Sequence, residues 1–190
     1  MRKVIVNEFL TLDGVAQAPG GPDEDTSSGF AHGGWHLQYG AEDGVDELIA
    51  NAAGFLLGRW TYELFADYWP SAPEGAFTEP MNTKPKHVAS TTLTDPLQWQ
   101  NSSVLPSPLP DAVAALKEQD GGNLIVIGST LLVHSLLQDG LVDELRLMID
   151  PVLVGGGKRL FPDDGALRPL RLVDHEVTST GTIIATYAPA

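Results

Sequence analysis

One stretch constrains the fold more than any other: Asn123-Leu-Ile-Val-Ile-Gly-Ser-Thr130, with an apolar run behind it. Residues 123–127 are short, β-branched and bracketed by Gly121, Gly122 and Gly128, the pattern of a buried strand. Leu131, Leu132, Leu136 and Leu137 then recur at helical spacing. A strand that runs through Gly-Ser into a helix leaves unpaired N–H groups at the helix start, where the dipole is positive. Gly128 lets another backbone or a phosphate come close. The outline is that of a phosphate cradle, and equally that of a plain turn.

The rest of the chain repeats this alternation. Lys3–Leu10, Gly54–Gly58, Lys86–Ser90, Asn101–Leu105 and Val142–Ile149 read as strands. Helical patterns cover Glu42–Ala53, Thr61–Trp69, Asp111–Gln119 and residues 129–138, with Ser71–Pro85 irregular. Strands alternating with helices predict an α/β fold, a mostly parallel twisted sheet with flanking helices. Leu170–Thr178 and Thr182–Tyr187 are joined too tightly for a crossover, so the C-terminal hairpin brings in an antiparallel strand. We read residues 1–190 as one domain. Residues 11–39 are rich in Gly and Pro and lack periodicity. In a compact domain so long a loop reads as an active-site lid or a partly disordered segment.

Charge and composition exclude several functions. The net charge of -14 disfavours nucleic acid and membrane surfaces, which need clustered Lys and Arg. No apolar run is long enough to span a membrane, and the chain opens directly into a strand. With no cysteine there is neither a disulfide nor a thiol nucleophile, which fits a cytoplasmic protein. His32, His36, His87, His134 and His175 lack metal-ligand spacing, so no metal is expected and structural roles are. Lys and Arg are missing between Val4 and Gly58, where nine acids fall: either a solvated surface or the wall of a cleft that repels anions.

Three strand ends carry groups suited to phosphate: Gly58-Arg59-Trp60-Thr61, Ser90-Thr91-Thr92 and Gly128-Ser129-Thr130. Hydroxyls and helix-start N–H groups bond phosphate oxygens, and Arg59 adds charge and a planar fork. Each has a plainer alternative. Thr61 could cap its helix, Arg59 could pair with Glu63, and Ser90–Thr92 could be a turn. All three at the same edge of one sheet point to a dinucleotide groove.

Gly-Arg-x-Thr after one strand, Lys-x-Val-x-Ser-x-Thr-Leu at the next (Lys86–Leu93), and Gly-Ser opening a helix resemble the dihydrofolate-reductase-like superfamily. Gly140–Arg146, Pro151–Gly157 and Arg159-Leu-Phe161 are similar to the reductase domain at the C-terminus of bifunctional riboflavin-biosynthesis enzymes and its stand-alone bacterial relatives. The resemblance implies a sheet of about eight strands and NADPH across the strand ends. It places Gly58, Arg59, Thr61, Ser90, Thr91 and Thr92 around the adenosine 2′-phosphate. Gly128, Ser129, Thr130 and Leu131 would hold the pyrophosphate, and Asp13 and Gly14 would lie near the nicotinamide. Residues 11–39 would be the mobile lid.

The expected activity is NADPH-dependent hydride transfer to a small planar heterocycle or a carbonyl or imine compound. The alternatives are a ligand-binding module without turnover and a riboflavin-pathway pyrimidine reductase. Trp35 and Tyr39 are candidates to stack on the substrate. Glu42 and Asp46, beside Asp43 and Glu47, are the candidate helix carboxylates. Folate is a poor candidate, because no Arg or Lys lies between Trp60 and Thr83 to hold its glutamate tail. A ribosyl phosphate would find only Lys158 and Arg159. Alternating apolar residues at Leu145, Leu147, Ile149, Val152, Val154 and Ile183–Tyr187 lie near one sheet edge and predict a homodimer.

Overall fold

The computed structural model describes residues 1–39 and 44–190. In chain order the elements are β1 (Val4–Thr11), α1 (Val45–Ala50), β2 (Gly54–Gly58), α2 (Arg59–Tyr68), α3 (Thr78–Thr83), β3 (Lys86–Ala89) and β4 (Ser102–Val104). They continue with α4 (Leu109–Lys117), β5 (Leu124–Val126), α5 (Thr130–Gln138), β6 (Glu144–Asp150), β7 (Leu170–Val177) and β8 (Ile183–Pro189). The strands form one eight-stranded sheet ordered β4-β3-β2-β5-β1-β6-β8-β7. β2 runs parallel to β3 and β5, and β3 to β4. The antiparallel strand is β8, inserted between β6 and β7 and opposed to both.

The chain packs as two compact units. One takes residues 1–5 and 44–142. The other takes the described residues of 6–43 and 143–190. In the first unit the central strands are apolar throughout: Phe55, Leu56, Leu57, Leu124, Ile125 and Val126 are fully buried, as strands covered on both faces require. Lys86 is buried among them. Its Nζ donates to the carbonyls of Met81 (3.0 Å) and Asn82 (3.1 Å) and lies 4.2 Å over the Trp99 ring. Those carbonyls end α3, a helix the sequence pattern does not predict. Thr78-Glu-Pro-Met-Asn-Thr83 has no apolar period, and a tertiary cation satisfies its last turn. α2 opens at Arg59 rather than Thr61, because Gly58 in extended conformation is the N-cap and no side chain caps the helix. Of the predicted helix Glu42–Ala53, Glu42 and Asp43 lie outside the described residues, and α1 spans Val45–Ala50.

In the second unit the segment after β1 is laced to the segment after β6. Leu12 N–H bonds the Val152 carbonyl, Ala16 N–H bonds the Lys158 carbonyl, and Val15 bridges Arg159. Gly157 permits this approach. It has φ +123°, and a Cβ there would lie 2.8 Å from Val15 Cγ1 and 2.9 Å from the Phe30 ring. Leu145 and Leu147, expected at a sheet edge, are buried instead, because β8 slots beside β6. The exposed apolar strand is β7, with Leu170, Leu172, Val173 and Val177 in solvent.

Candidate functional site

The first unit brings the three predicted strand ends together at the carboxyl ends of β2, β3 and β5. Gly58 N–H donates to Ser129 Oγ at 2.8 Å, which ties the start of α2 to the start of α5. Gly128 (φ +62°) and Ser129 (φ +62°) both adopt the left-handed conformation that makes this corner. No side chain caps either helix, so both present first-turn N–H groups and a positive dipole end at one place. Thr130 is half-buried in that turn, and Leu131 beside it is exposed.

Thr61 differs from expectation. It is buried, and its side chain lies 3.1 Å from where a Gly128 Cβ would stand. The close approach that Gly128 permits is therefore taken by Thr61, which joins the two helix starts rather than lining an open face. Arg59 makes the plainer contact as well, an i,i+4 pair with Glu63 at 2.8 Å between half-exposed side chains. Such a pair contributes only about 0.3–0.5 kcal/mol, against about 1.5–3 kcal/mol for a charge-assisted bond to phosphate. The guanidinium is thus held by a contact weak enough to be exchanged for a stronger one. Ser90 Oγ accepts the N–H groups of Thr92 (3.1 Å) and Leu93 (2.9 Å), forming a hydroxyl-centred turn that exposes Thr91 and Thr92.

In the second unit Asp13 is a clamp. Its carboxylate accepts from Thr11 Oγ1 (2.6 Å), Gly155 N–H (2.9 Å) and Val154 N–H (3.3 Å), and its carbonyl accepts from Arg159. The Thr11 hydroxyl is the foremost of the bonds that hold its carboxyl below the usual carboxylate range, against the opposing effect of burial. Gly14, at φ +81°, makes the turn beside it.

The loop is tied down by its own polar groups. Glu24 accepts from Gly20 and Gly21 N–H (2.6 and 3.1 Å), and Lys158 pairs with Asp25 at 2.5 Å. Trp35 is only 6% exposed and donates its indole N–H to the Gln17 carbonyl at 2.8 Å. It anchors the loop rather than presenting a stacking face, and its inward position comes from the chain's own contacts. Tyr39 is half-buried, and its carbonyl accepts from Thr180. Asp46 is exposed in the first turn of α1 and bonds the adjacent Glu47 N–H, which leaves it facing solvent. Glu42 lies outside the described residues.

The sequence reading missed a buried polar cluster. His36 Nδ1 lies 2.8 Å from Asp150 Oδ2, and Asp150 Oδ1 accepts from Thr182 Oγ1 at 2.7 Å. The His36 ring stacks on Phe9 with centroids 3.9 Å apart. These residues come from the loop, β6, the turn before β8, and β1, separations that no local pattern links. Among the described residues there is no group of three His, Asp or Glu able to hold a metal, and no helix long and apolar enough to cross a membrane.

A family model of the RibD C-terminal domain matches residues 2–184. The chain belongs to that family. The uncharacterized protein YyaP of Bacillus subtilis (strain 168) is 26% identical over 193 residues, covering 98% of this chain and 94% of YyaP. A candidate riboflavin biosynthesis protein from Shewanella sp. PV-4 shares the fold at TM-score 0.75 and 22% identity, covering 99% of both chains. Dihydrofolate reductase from Enterococcus faecalis, complexed with NADP(H) and RAB-propyl, superposes at TM-score 0.61 and 14% identity, covering 98% of this chain and 96% of that one. The fold is therefore dihydrofolate-reductase-like and of reductase type.

Proposed function

We propose that this chain is an NADPH-dependent reductase of a small, planar, neutral heterocycle or carbonyl or imine compound. The observation that carries the reading is the Gly58–Ser129 bond, which brings two uncapped helix starts together beside Arg59. Helix-start N–H groups and their dipoles suit a pyrophosphate. Ser129, Thr130 and Leu131 would take it, with Arg59 and the Ser90–Thr92 turn at the adenosine 2′-phosphate. Membership of the RibD C-terminal domain family and the NADP(H) bound by the Enterococcus reductase support the same cofactor. NADPH supplies the hydride when bound; the chain binds, orients and moves protons.

The electrostatics favour an uncharged substrate. Lys158 is engaged by Asp25 and Arg159 by the Asp13 carbonyl, so the two cations available to a ribosyl phosphate already serve the loop. The exposed apolar face of β7 and Ile183 supports a homodimer.

The test is a fluorescence titration with NADPH, followed by its oxidation with isatin, with dihydroisoquinoline and with a phosphorylated ribosylaminopyrimidine. Oxidation with either neutral compound is expected. Binding without oxidation by any of the three identifies a binding module. Efficient turnover of the phosphorylated pyrimidine alone returns the protein to riboflavin synthesis.

A further inference from the structure

We propose that the Ser129 hydroxyl is a positioning group that couples the two phosphate subsites of the groove, so that selection of NADPH over NADH depends on Ser129 as well as on Arg59; this rests on the reductase reading above. Ser129 sits at φ +62° and ψ +44°, directly after the left-handed Gly128. A Cβ makes this conformation costly, and glycine avoids the cost. What serine adds over glycine is a hydroxyl. Its Oγ accepts the Gly58 N–H at 2.8 Å. Gly58 is the N-cap residue of α2, extended at φ -75° and ψ 161°. In a capping box a Glu or Gln at the third helical position takes that N–H. The third position of α2 is Thr61, which is buried against Gly128. Ser129 therefore supplies from the start of α5 what α2 lacks.

A hydroxyl accepts hydrogen bonds and also donates one proton. Among the described residues the Ser129 hydroxyl proton has no acceptor; the bond from Gly58 uses only its oxygen. Ser135, on the same helix, shows the ordinary use of such a proton: its Oγ donates to the Leu131 carbonyl one turn back at 3.3 Å. Ser129 is the N-cap of α5, so no carbonyl of that helix lies one turn behind it. Its proton is left for what binds at the helix start, which in the reductase reading is a pyrophosphate oxygen.

The two helix starts touch at Gly58 and Ser129 and again at Thr61 and Gly128, and Arg59 lies between those two points in sequence. A bond from the Ser129 hydroxyl to an anionic oxygen makes Oγ a better acceptor, because chained hydrogen bonds polarise one another. The bond from Gly58 then tightens and fixes the backbone that carries Arg59. The Arg59 side chain has only its exposed pair with Glu63 to hold it. A pyrophosphate thus orders the start of α2 for the 2′-phosphate. By linkage, a 2′-phosphate on Arg59 orders it for the pyrophosphate.

The experiment is a double-mutant cycle of Ser129→Gly and Arg59→Ala, alone and together, read by fluorescence titration with NADPH and with NADH. Ser129→Gly deletes the hydroxyl, relieves the left-handed backbone and leaves Thr61 packed on Gly128. NADH should weaken roughly tenfold through the lost pyrophosphate bond. NADPH should weaken by about a further threefold or more, the coupling expected within one hydrogen-bond network, and that further loss should vanish when Arg59 is already alanine. Equal losses for the two cofactors in Ser129→Gly, with the same loss in either background, overturn the coupling and leave the reductase reading standing. Failure of the wild type to bind either cofactor overturns both. A measurement on the wild type serves if Ser129→Gly does not fold. In ¹⁵N-correlated spectra the Gly58 amide proton should move downfield as NADP⁺ is added, as its bond to Ser129 tightens. A Gly58 amide unmoved while the Thr130 amide titrates overturns the proposal.

Discussion

Lys86→Met tests the energetics of the first unit most directly. Lys86 is 0% exposed, and burial pushes its ammonium down from 10.5 to about 8. In the unfolded chain the amine holds its proton up to the higher value. Between the two values the unfolded state binds more protons, so the contribution of Lys86 to stability rises with pH. At one unit per about 1.4 kcal/mol, the shift costs the folded state about 3 kcal/mol below pH 8. Integration between about pH 7 and about pH 10 gives a gain of about 2.5 kcal/mol. Met fills the same space without titrating. It leaves the Met81 and Asn82 carbonyls without their donor, at about 1–3 kcal/mol each, and removes a contact with the Trp99 face worth up to about 2 kcal/mol. At neutral pH these losses oppose the relief of a buried charge, so the net sign there is uninformative. The pH dependence decides. Urea unfolding followed by tryptophan fluorescence should show the stability difference, wild type minus Lys86→Met, growing by about 2.5 kcal/mol from neutral to alkaline pH. Taking the difference removes the lysines and tyrosines common to both chains. Parallel curves would refute the reasoning and mean that the carbonyls and the indole face fully offset the desolvation.

Arg59→Ala should weaken NADPH binding roughly ten- to a hundredfold and NADH binding much less, by fluorescence titration; equal losses would remove Arg59 from the 2′-phosphate. Glu63→Gln should tighten NADPH about twofold, since the exposed pair it releases is weak. Gly157→Ala puts a Cβ against Val15 and Phe30 at φ +123° and should lower stability by about 2 kcal/mol or more, with faster hydrogen exchange in 11–39. Light scattering should give twice the 20.3 kDa chain mass, and Val173→Asp on β7 should shift it toward one chain.

The strands that carry the fold were legible because their signals are local. Gly54–Gly58 appears with the predicted bounds, and 123–127 and 170–187 lie within a few residues of theirs, since β-branched runs between glycines leave few alternatives. The three groove segments were legible for the same reason: each is a turn after a strand, and parallel topology puts the ends of β2, β3 and β5 on one side. What required the tertiary structure was everything settled by contact between distant segments. α3 forms without an apolar period because Lys86 satisfies its last carbonyls. Thr61 turns inward because Gly128 leaves it room. Trp35 anchors the loop because the Gln17 carbonyl accepts its N–H, and β6 leaves the sheet edge because β8 runs beside it. His36 and Asp150 stand 114 residues apart, and periodicity within a segment carries no information about a hydrogen bond across that distance. Sequence determined most of the strands and helices and which turns lie at the ends of β2, β3 and β5, because those signals are local; packing determined α3 and the partners of the buried polar groups, because those contacts join distant segments.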